Sequence, residues 1–148
     1  MNKPDWIVRQ AEWKEDPLSI KSVREIVFIQ EQSVSETLEW DGHDKAAKHL
    51  LALDKKGAPI GTARFLQSGD QGQIGRMAVL KEHRGKGIGT ALLKEALRLA
   101  KEEKLSSVFL NAQVHVISFY GSFGFSTVGN EFLEAGIPHQ KMVKSLAV

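Results

Sequence analysis

Arg84-Gly85-Lys86-Gly87-Ile88-Gly89-Thr90 stands between the strand-like run Gln73-Ile74-Gly75-Arg76-Met77-Ala78-Val79-Leu80 and a helical pattern in which Ile88, Leu92, Ala96, Leu99 and Ala100 share one face. Lys94, Arg98, Lys101 and Glu102 point elsewhere, as an amphipathic surface helix requires. The first turn of a helix offers backbone amides without partners and a partial positive charge, and glycines let a phosphate approach them closely. Arg84 and Lys86 add two cations at the same place, so a diphosphate is the fitting guest. A nucleoside-triphosphate loop would need Lys-Ser or Lys-Thr after its glycines, and none follows. The dinucleotide fingerprint needs G-x-G-x-x-G, whereas this chain has G-x-G-x-G and no repeated parallel βαβ units. On the glycines alone, a flexible charged turn or a general nucleotide-phosphate binder competes with these readings.

Upstream, Trp6-Ile7-Val8-Arg9-Gln10 reads as an opening strand. Asp16-Pro17 then starts a helix, with Asp placed to cap free amides and Pro at a position that loses no needed donor. Ile20, Val23 and Val27 carry that helix to about Glu31, and residues 33–45 are polar and irregular. His49 to Leu53, Pro59 to Leu66 and Gln73 to Leu80 are strands separated by the turns Lys55-Lys56-Gly57 and Gly69-Asp70-Gln71-Gly72, which predicts an antiparallel meander. Downstream of the glycines come a strand at Ser107 to Leu110, a short helix with Val116, Tyr120 and Phe123 on one face, and strands around residues 126–128 and 141–143. The expected class is α/β (α+β), a mixed and mostly antiparallel sheet flanked by helices. Residues 1–148 read as a single domain, with no internal repeat or linker.

The bulk properties narrow the function classes. A chain of 148 residues that is 42% hydrophobic and 26% charged has an ordinary globular composition. A net charge of +2, with both signs interspersed, gives no case for nucleic acid as partner. No run approaches the roughly 20 apolar residues of a membrane span, and no apolar signal core follows Met1, so no membrane partner and a cytoplasmic location are expected. The absence of Cys rules out disulfides, thiolate metal sites and a Cys-linked acyl intermediate. His43, His49 and His83 form no H-x-x-x-H pair, so no metal is expected. Trp6, Trp13 and Trp40 read as core or interface anchors rather than stacking platforms. The acidic run Glu36, Glu39, Asp41 and Asp44 reads as a solvated loop, with attraction of a cation as the alternative.

Further along lies Asn111-Ala112-Gln113-Val114-His115-Val116-Ile117-Ser118-Phe119-Tyr120-Gly121-Ser122-Phe123-Gly124-Phe125. Arg84 to Gly89 resembles R-x-x-G-x-G, the pyrophosphate loop of the GNAT superfamily of N-acetyltransferases, and Phe119 to Phe125 resembles that superfamily's F-Y-x-x-x-G-F element. Glu31-Gln32, Ala112-Gln113-x-His115 and the tail Phe132 to His139 with Met142 look like its ElaA/YjcF-like branch. Gln113 stands where many members carry Asn.

The resemblance implies an acetyl-CoA-dependent N-acetyltransferase of GNAT fold, with direct attack of an amine in a ternary complex. It places the cosubstrate against Met77, Ala78 and Val79, then Arg84, Gly85, Lys86, Gly87, Ile88, Gly89 and Thr90, then Gln113, Phe119, Tyr120 and Phe123. It makes Tyr120 the general acid toward the leaving thiolate, a role that suits a phenol with pKa near 10. Glu31, Gln32, His115, Glu134 and His139 are the substrate-facing or base candidates. The acceptor class, a small-molecule amine or a protein amine, stays open. A homodimer is common among similar proteins. The alternative is a non-catalytic acyl-CoA-binding sensor of the same fold.

Overall fold

The computed structural model describes residues 5–146; Met1 to Pro4, where the expectation of no signal core begins, lie outside the described residues, as do Ala147 and Val148. Strands β2 (Lys48–Asp54), β3 (Pro59–Ser68) and β4 (Gln71–Val79) form the expected antiparallel meander, and the opening strand β1 (Trp6–Ala11) pairs antiparallel with β2. Strand β5 (Ser107–Gln113) joins β4 in parallel, and β7 (Ile137–Ser145) and β6 (Ser126–Glu134) complete a seven-stranded sheet of order β1-β2-β3-β4-β5-β7-β6.

The run Leu50-Leu51-Ala52-Leu53 lacks polar alternation because both faces of β2 are covered. Leu50 and Ala52 pack against Ile88, Leu92 and Ala96 of the long helix that follows the glycines, while Leu51 and Leu53 pack against Ile20 of the first helix. That long helix lies close to the sheet because Gly61 gives way: a Cβ there would sit 3.0 Å from Ile88. Leu92, Leu93 and Ala96 are fully buried, and removing a buried leucine side chain costs about 2–5 kcal/mol. No helix among the described residues is long and apolar enough to cross a membrane.

The first helix differs from its expected form. It is α-helical only over Pro17–Arg24 (α1), then widens into a π-helix over Glu25–Glu31. The added residue per turn is invisible to a 3.6-residue period that runs unbroken through Ile20, Val23 and Val27. Asp16 forms no side-chain cap; its carboxylate reaches Arg9 instead, at 3.4 Å.

The segment expected to be an irregular solvated loop is held inward. Ser35 caps a short helix, α2 (Glu36–Glu39), by accepting from the Leu38 amide at 3.3 Å. Fully buried Arg24 donates to Glu39 Oε2 at 2.7 Å, to Asp44 Oδ1 at 2.6 Å and to the Glu39 carbonyl at 3.0 Å. Arg64 grips both carboxylate oxygens of Asp41 at 2.8 Å and reaches Asp44 at 3.2 Å. Arg76 closes the network on Glu39 and Asp41, each at 3.2 Å. The three acids are thus matched to three arginines and are not free to draw in a cation, and Trp40 lies over Arg24 at 4.9 Å. Burial opposes ionisation of Asp41, yet hydrogen bonds from Arg64 and the His43 amide win and hold its carboxyl below the usual range. Burial pushes the Glu39 carboxyl up despite Arg76 and Arg24.

Removing one member of such a network strands the opposite charges in a dry interior. Asp44→Ala leaves Arg24 and Arg64 short of a partner, and the expected loss is about 3–5 kcal/mol by urea unfolding at pH 7. A loss below about 1 kcal/mol, the scale of exposed ion pairs, would show that the network carries no structural weight.

Candidate active site

A bulge in β4 opens the site. Thr62 pairs with Ala78 and Arg64 with Gly75, so Ala63 faces two residues, Arg76 and Met77. Arg76 takes up the extra length at φ +50°. Gly75 was the one sequence signal for this bulge, since an isolated glycine within a strand marks such places. Strand β4 pairs with β5 only over Gln71–Gln73 and Ser107–Phe109. Past that point the two strands no longer hydrogen-bond, and a cavity of about 760 Å³ lies at the parting, walled by Met77, Ala78 and Val79 on one side and by Asn111 and Gln113 on the other.

The glycine-rich turn ends at this cavity. Gly85 and Gly87 sit at φ +80° and +86°, conformations that a side chain would strain. Helix α3 (Ile88–Glu102) follows, and Ala91 is its first residue whose amide finds a carbonyl, on Gly87 at 3.0 Å. Among the described residues the amides of Ile88, Gly89 and Thr90 have no such acceptor. Gly89 lines the cavity and lies over the ring of Phe119, which a Cβ would meet at 3.7 Å. The Ile88 side chain is buried in the core, so only its main chain faces outward.

The two basic residues of the turn are engaged differently. Arg84 donates to both oxygens of Glu31 at 2.8 Å and through Nε to the Val79 carbonyl at 2.9 Å, which ties the π-helix to the turn. The Arg84 hydrogen bond holds the Glu31 carboxyl below its ordinary value. Lys86 is exposed, with Nζ 3.3 Å from His83 Nδ1.

Helix α4 (Ile117–Gly121) supplies the aromatic wall. Phe119 packs edge-on against Tyr120 and Phe123, and Tyr120 against Phe125. The Tyr120 hydroxyl points across the parting to Met77 Sδ at 3.7 Å. Gln113 exchanges hydrogen bonds with Gln32 at 3.0 and 3.2 Å, spanning the cavity mouth from β5 to the end of the π-helix. Glu31, His115, Glu134 and His139 line the same cavity. Lys86, Gly85, Gly87, Thr90 and Phe123 do not. Arg64, Arg76, Glu39 and Asp41 also line it; sequence reasoning missed the two arginines and read the two acids as part of a solvated loop.

The family model for the acetyltransferase (GNAT) domain matches residues 17–146, which takes in the bulged strand, the glycine turn and the aromatic helix together. The chain belongs to the GNAT acetyltransferase family. It is an N-acetyltransferase of the kind that draws on an acyl-CoA. It is 36% identical over 123 residues to the uncharacterised N-acetyltransferase YjcF of Bacillus subtilis, covering 82% of this chain and 87% of that protein. It is 32% identical over 134 residues to the protein ElaA of Escherichia coli, covering 86% of each. The crystal structure of E. coli ElaA superposes with a TM-score of 0.85 at 29% identity, covering 95% of this chain and 99% of that one. An acyl-CoA N-acyltransferase of Pseudomonas aeruginosa gives the same TM-score of 0.85, at 29% identity and with the same shares of each chain. These relatives place the chain in the ElaA/YjcF-like branch of the GNAT family.

In this GNAT enzyme burial pushes the Tyr120 hydroxyl up to about 12. The shift is an acid's, upward, so the folded state keeps the proton across the range from the ordinary phenol value of about 10 to about 12 and loses stability as pH rises through it. Tyr120 is the only tyrosine of the chain, so ultraviolet titration of phenolate reports it alone. The expected midpoint lies near 12, or coincides with alkaline unfolding; ionisation of the folded protein near 10 would place the hydroxyl in water.

Proposed function

We propose that the enzyme transfers the acetyl group of acetyl-CoA to a primary amine by direct attack, with both substrates in the cleft at once. The observation that carries this is the meeting of three features in one cavity: unpartnered helix amides at Gly89, the parted strand Met77–Val79, and the inward hydroxyl of Tyr120. The residues fit the cosubstrate. The turn from Gly85 to Thr90 offers amides and the positive end of α3 to its diphosphate, with Lys86 beside them. Arg84 serves this site at one remove, since its guanidinium is occupied by Glu31 and Val79 and fixes the turn in place.

Past Gln73, β4 has main-chain groups with no β5 partner, and an amide there is the donor to the thioester oxygen as negative charge develops on it. Preorganised donors of this kind lower a barrier by about 3 kcal/mol. Tyr120 gives its proton to the departing sulfur. Its contact with the Met77 thioether sulfur, made from its bed of Phe119 and Phe125, supports this reading. The acceptor amine enters from the side of Gln32, His115 and Glu134, a wall that combines polar groups with the apolar Phe28 and Val34 and suits a small amine or the side chain of a peptide.

Acetyl-CoA is expected to raise the melting temperature of the protein, and ATP or NAD is not. With a panel of primary amines, Tyr120→Phe is expected to lower thioester cleavage by about 100-fold or more while leaving the acetyl-CoA melting shift intact. Cleavage at the full rate in that variant would remove Tyr120 from the acid role. A melting shift without acetylation of any amine would support an acyl-CoA sensor.

A further inference from the structure

An alkylammonium must lose a proton before it can attack, and the candidate groups in the cavity are not equally able to take one. Glu31 has both oxygens committed to Arg84, which favours its ionised form and lowers its affinity for a proton. Glu39 and Asp41 are held by Arg24, Arg64 and Arg76. His115 is exposed on the 3₁₀ turn Val114–Val116.

His139 is built differently. It is 6% exposed, lies opposite Gln113 of β5 in the sheet register, and lines the cavity. Its ring stacks on Phe132 of β6 at 6.0 Å and 23°. Its Nδ1 stands 2.6 Å from the Ile137 carbonyl. A carbonyl only accepts, so Nδ1 carries the hydrogen, and in the neutral ring it is Nε2 that keeps the lone pair. Glu134 Oε2 stands 3.5 Å from Nε2, and Glu134 is exposed on its far side. The tight Ala135-Gly136 turn, with φ +53° and +75°, brings the two side chains together from neighbouring strands.

We propose that His139, with Glu134 beside its Nε2, is the general base that takes the proton of the incoming ammonium. This rests on the acetyl-transfer reading and names the proton acceptor of that same site. Nε2 takes one proton from the ammonium and becomes the N–H of an imidazolium facing the Glu134 carboxylate. The freed nitrogen pair forms the new C–N bond at the thioester carbon. On collapse the C–S bond breaks with its electron pair on sulfur, Tyr120 protonates that sulfur, and the proton left on the new amide nitrogen restores the Tyr120 hydroxyl. The imidazolium proton leaves to water past Glu134, so one proton is released for each acetyl group moved. The ionisable groups on the elements next to His139 include Glu134 on β6, His115 on the turn packed against β7, and Lys141 on β7 itself.

The test is kcat/KM for acetyl-CoA with ethylamine, spermidine, glucosamine, lysine and a lysine-containing peptide, from pH 6.5 to pH 10, in wild type, His139→Gln and Glu134→Gln. At pH 7 His139→Gln is expected to lose about 100-fold, and the deficit is expected to shrink as pH nears the amine's own value of about 10, where solution supplies the neutral amine. Glu134→Gln, on the exposed side of the pair, is expected to lose a smaller factor with the same recovery, and decides the matter if the buried variant does not fold. A purely structural role for His139 would give the same deficit at every pH and would overturn the proposal. Variants equal to wild type at pH 7 would overturn it too, while leaving acetyl transfer standing. If wild type acetylates none of these amines, the acetyl-transfer reading itself falls.

Discussion

Two parallel strands that hydrogen-bond for three residues and then part leave main-chain donors and acceptors facing a gap, and the rest of this molecule is arranged around that gap. Unpaired backbone groups are costly when buried and useful when a substrate can meet them. The extra residue at Arg76 and Met77 turns β4 away from β5, while β5 keeps its second edge on β7 along its whole length from Ser107 to Gln113. The sheet therefore stays continuous at its base and open at the end where α3 begins. A cavity, a helix N-terminus and an aromatic wall converge there because the same few residues that separate the strands also lead into the glycine turn.

Holding β4 in its bulged form falls to charge. Arg76 occupies a left-handed conformation unusual for a residue with a side chain, and its guanidinium is anchored to Glu39 and Asp41. Those acids are anchored in turn by Arg24 from α1 and Arg64 from β3. Buried ion pairs contribute little net stability compared with a well-packed apolar core, but they define one geometry and penalise the alternatives. Here they fix the bulge, part of the cavity wall and the path of residues 35–46 together. Two further bridges, Glu31 to Arg84 and Gln32 to Gln113, tie the end of the π-helix to each arm of the parting.

What the sequence revealed and what it concealed follow the range of the interactions. The meander, α3 and the glycine turn were legible because strand alternation, helical period and turn chemistry act over a few residues. The π-helix was not, because Ile20, Val23 and Val27 keep ordinary helical spacing straight across the point where the ladder changes. Strands β6 and β7 were visible only around residues 126–128 and 141–143. They run on to a tight turn whose first central residue is Ala135 at φ +53°, where Asn or Asp would have been the signal, and Gly129 to Glu131 bulge out of the pairing. The arginine network was hidden outright: its members lie 15 to 37 residues apart, and a run of acids with no visible partner reads as a solvated loop. Tyr120 could be singled out from its motif, but its contact with Met77, 43 residues away, could not.

If the open amides from Gly85 to Thr90 grip the linked phosphates of the acyl donor, they are the nuclei that sense it most strongly. Amide ¹H–¹⁵N spectra recorded during titration with coenzyme A test this directly. The largest shifts should fall on Gly85 to Thr90, accompanied by Met77 to Val79 on the strand opposite Tyr120. Saturable binding that leaves the amides of that turn unmoved, with shifts gathered on another face of the protein, would contradict it.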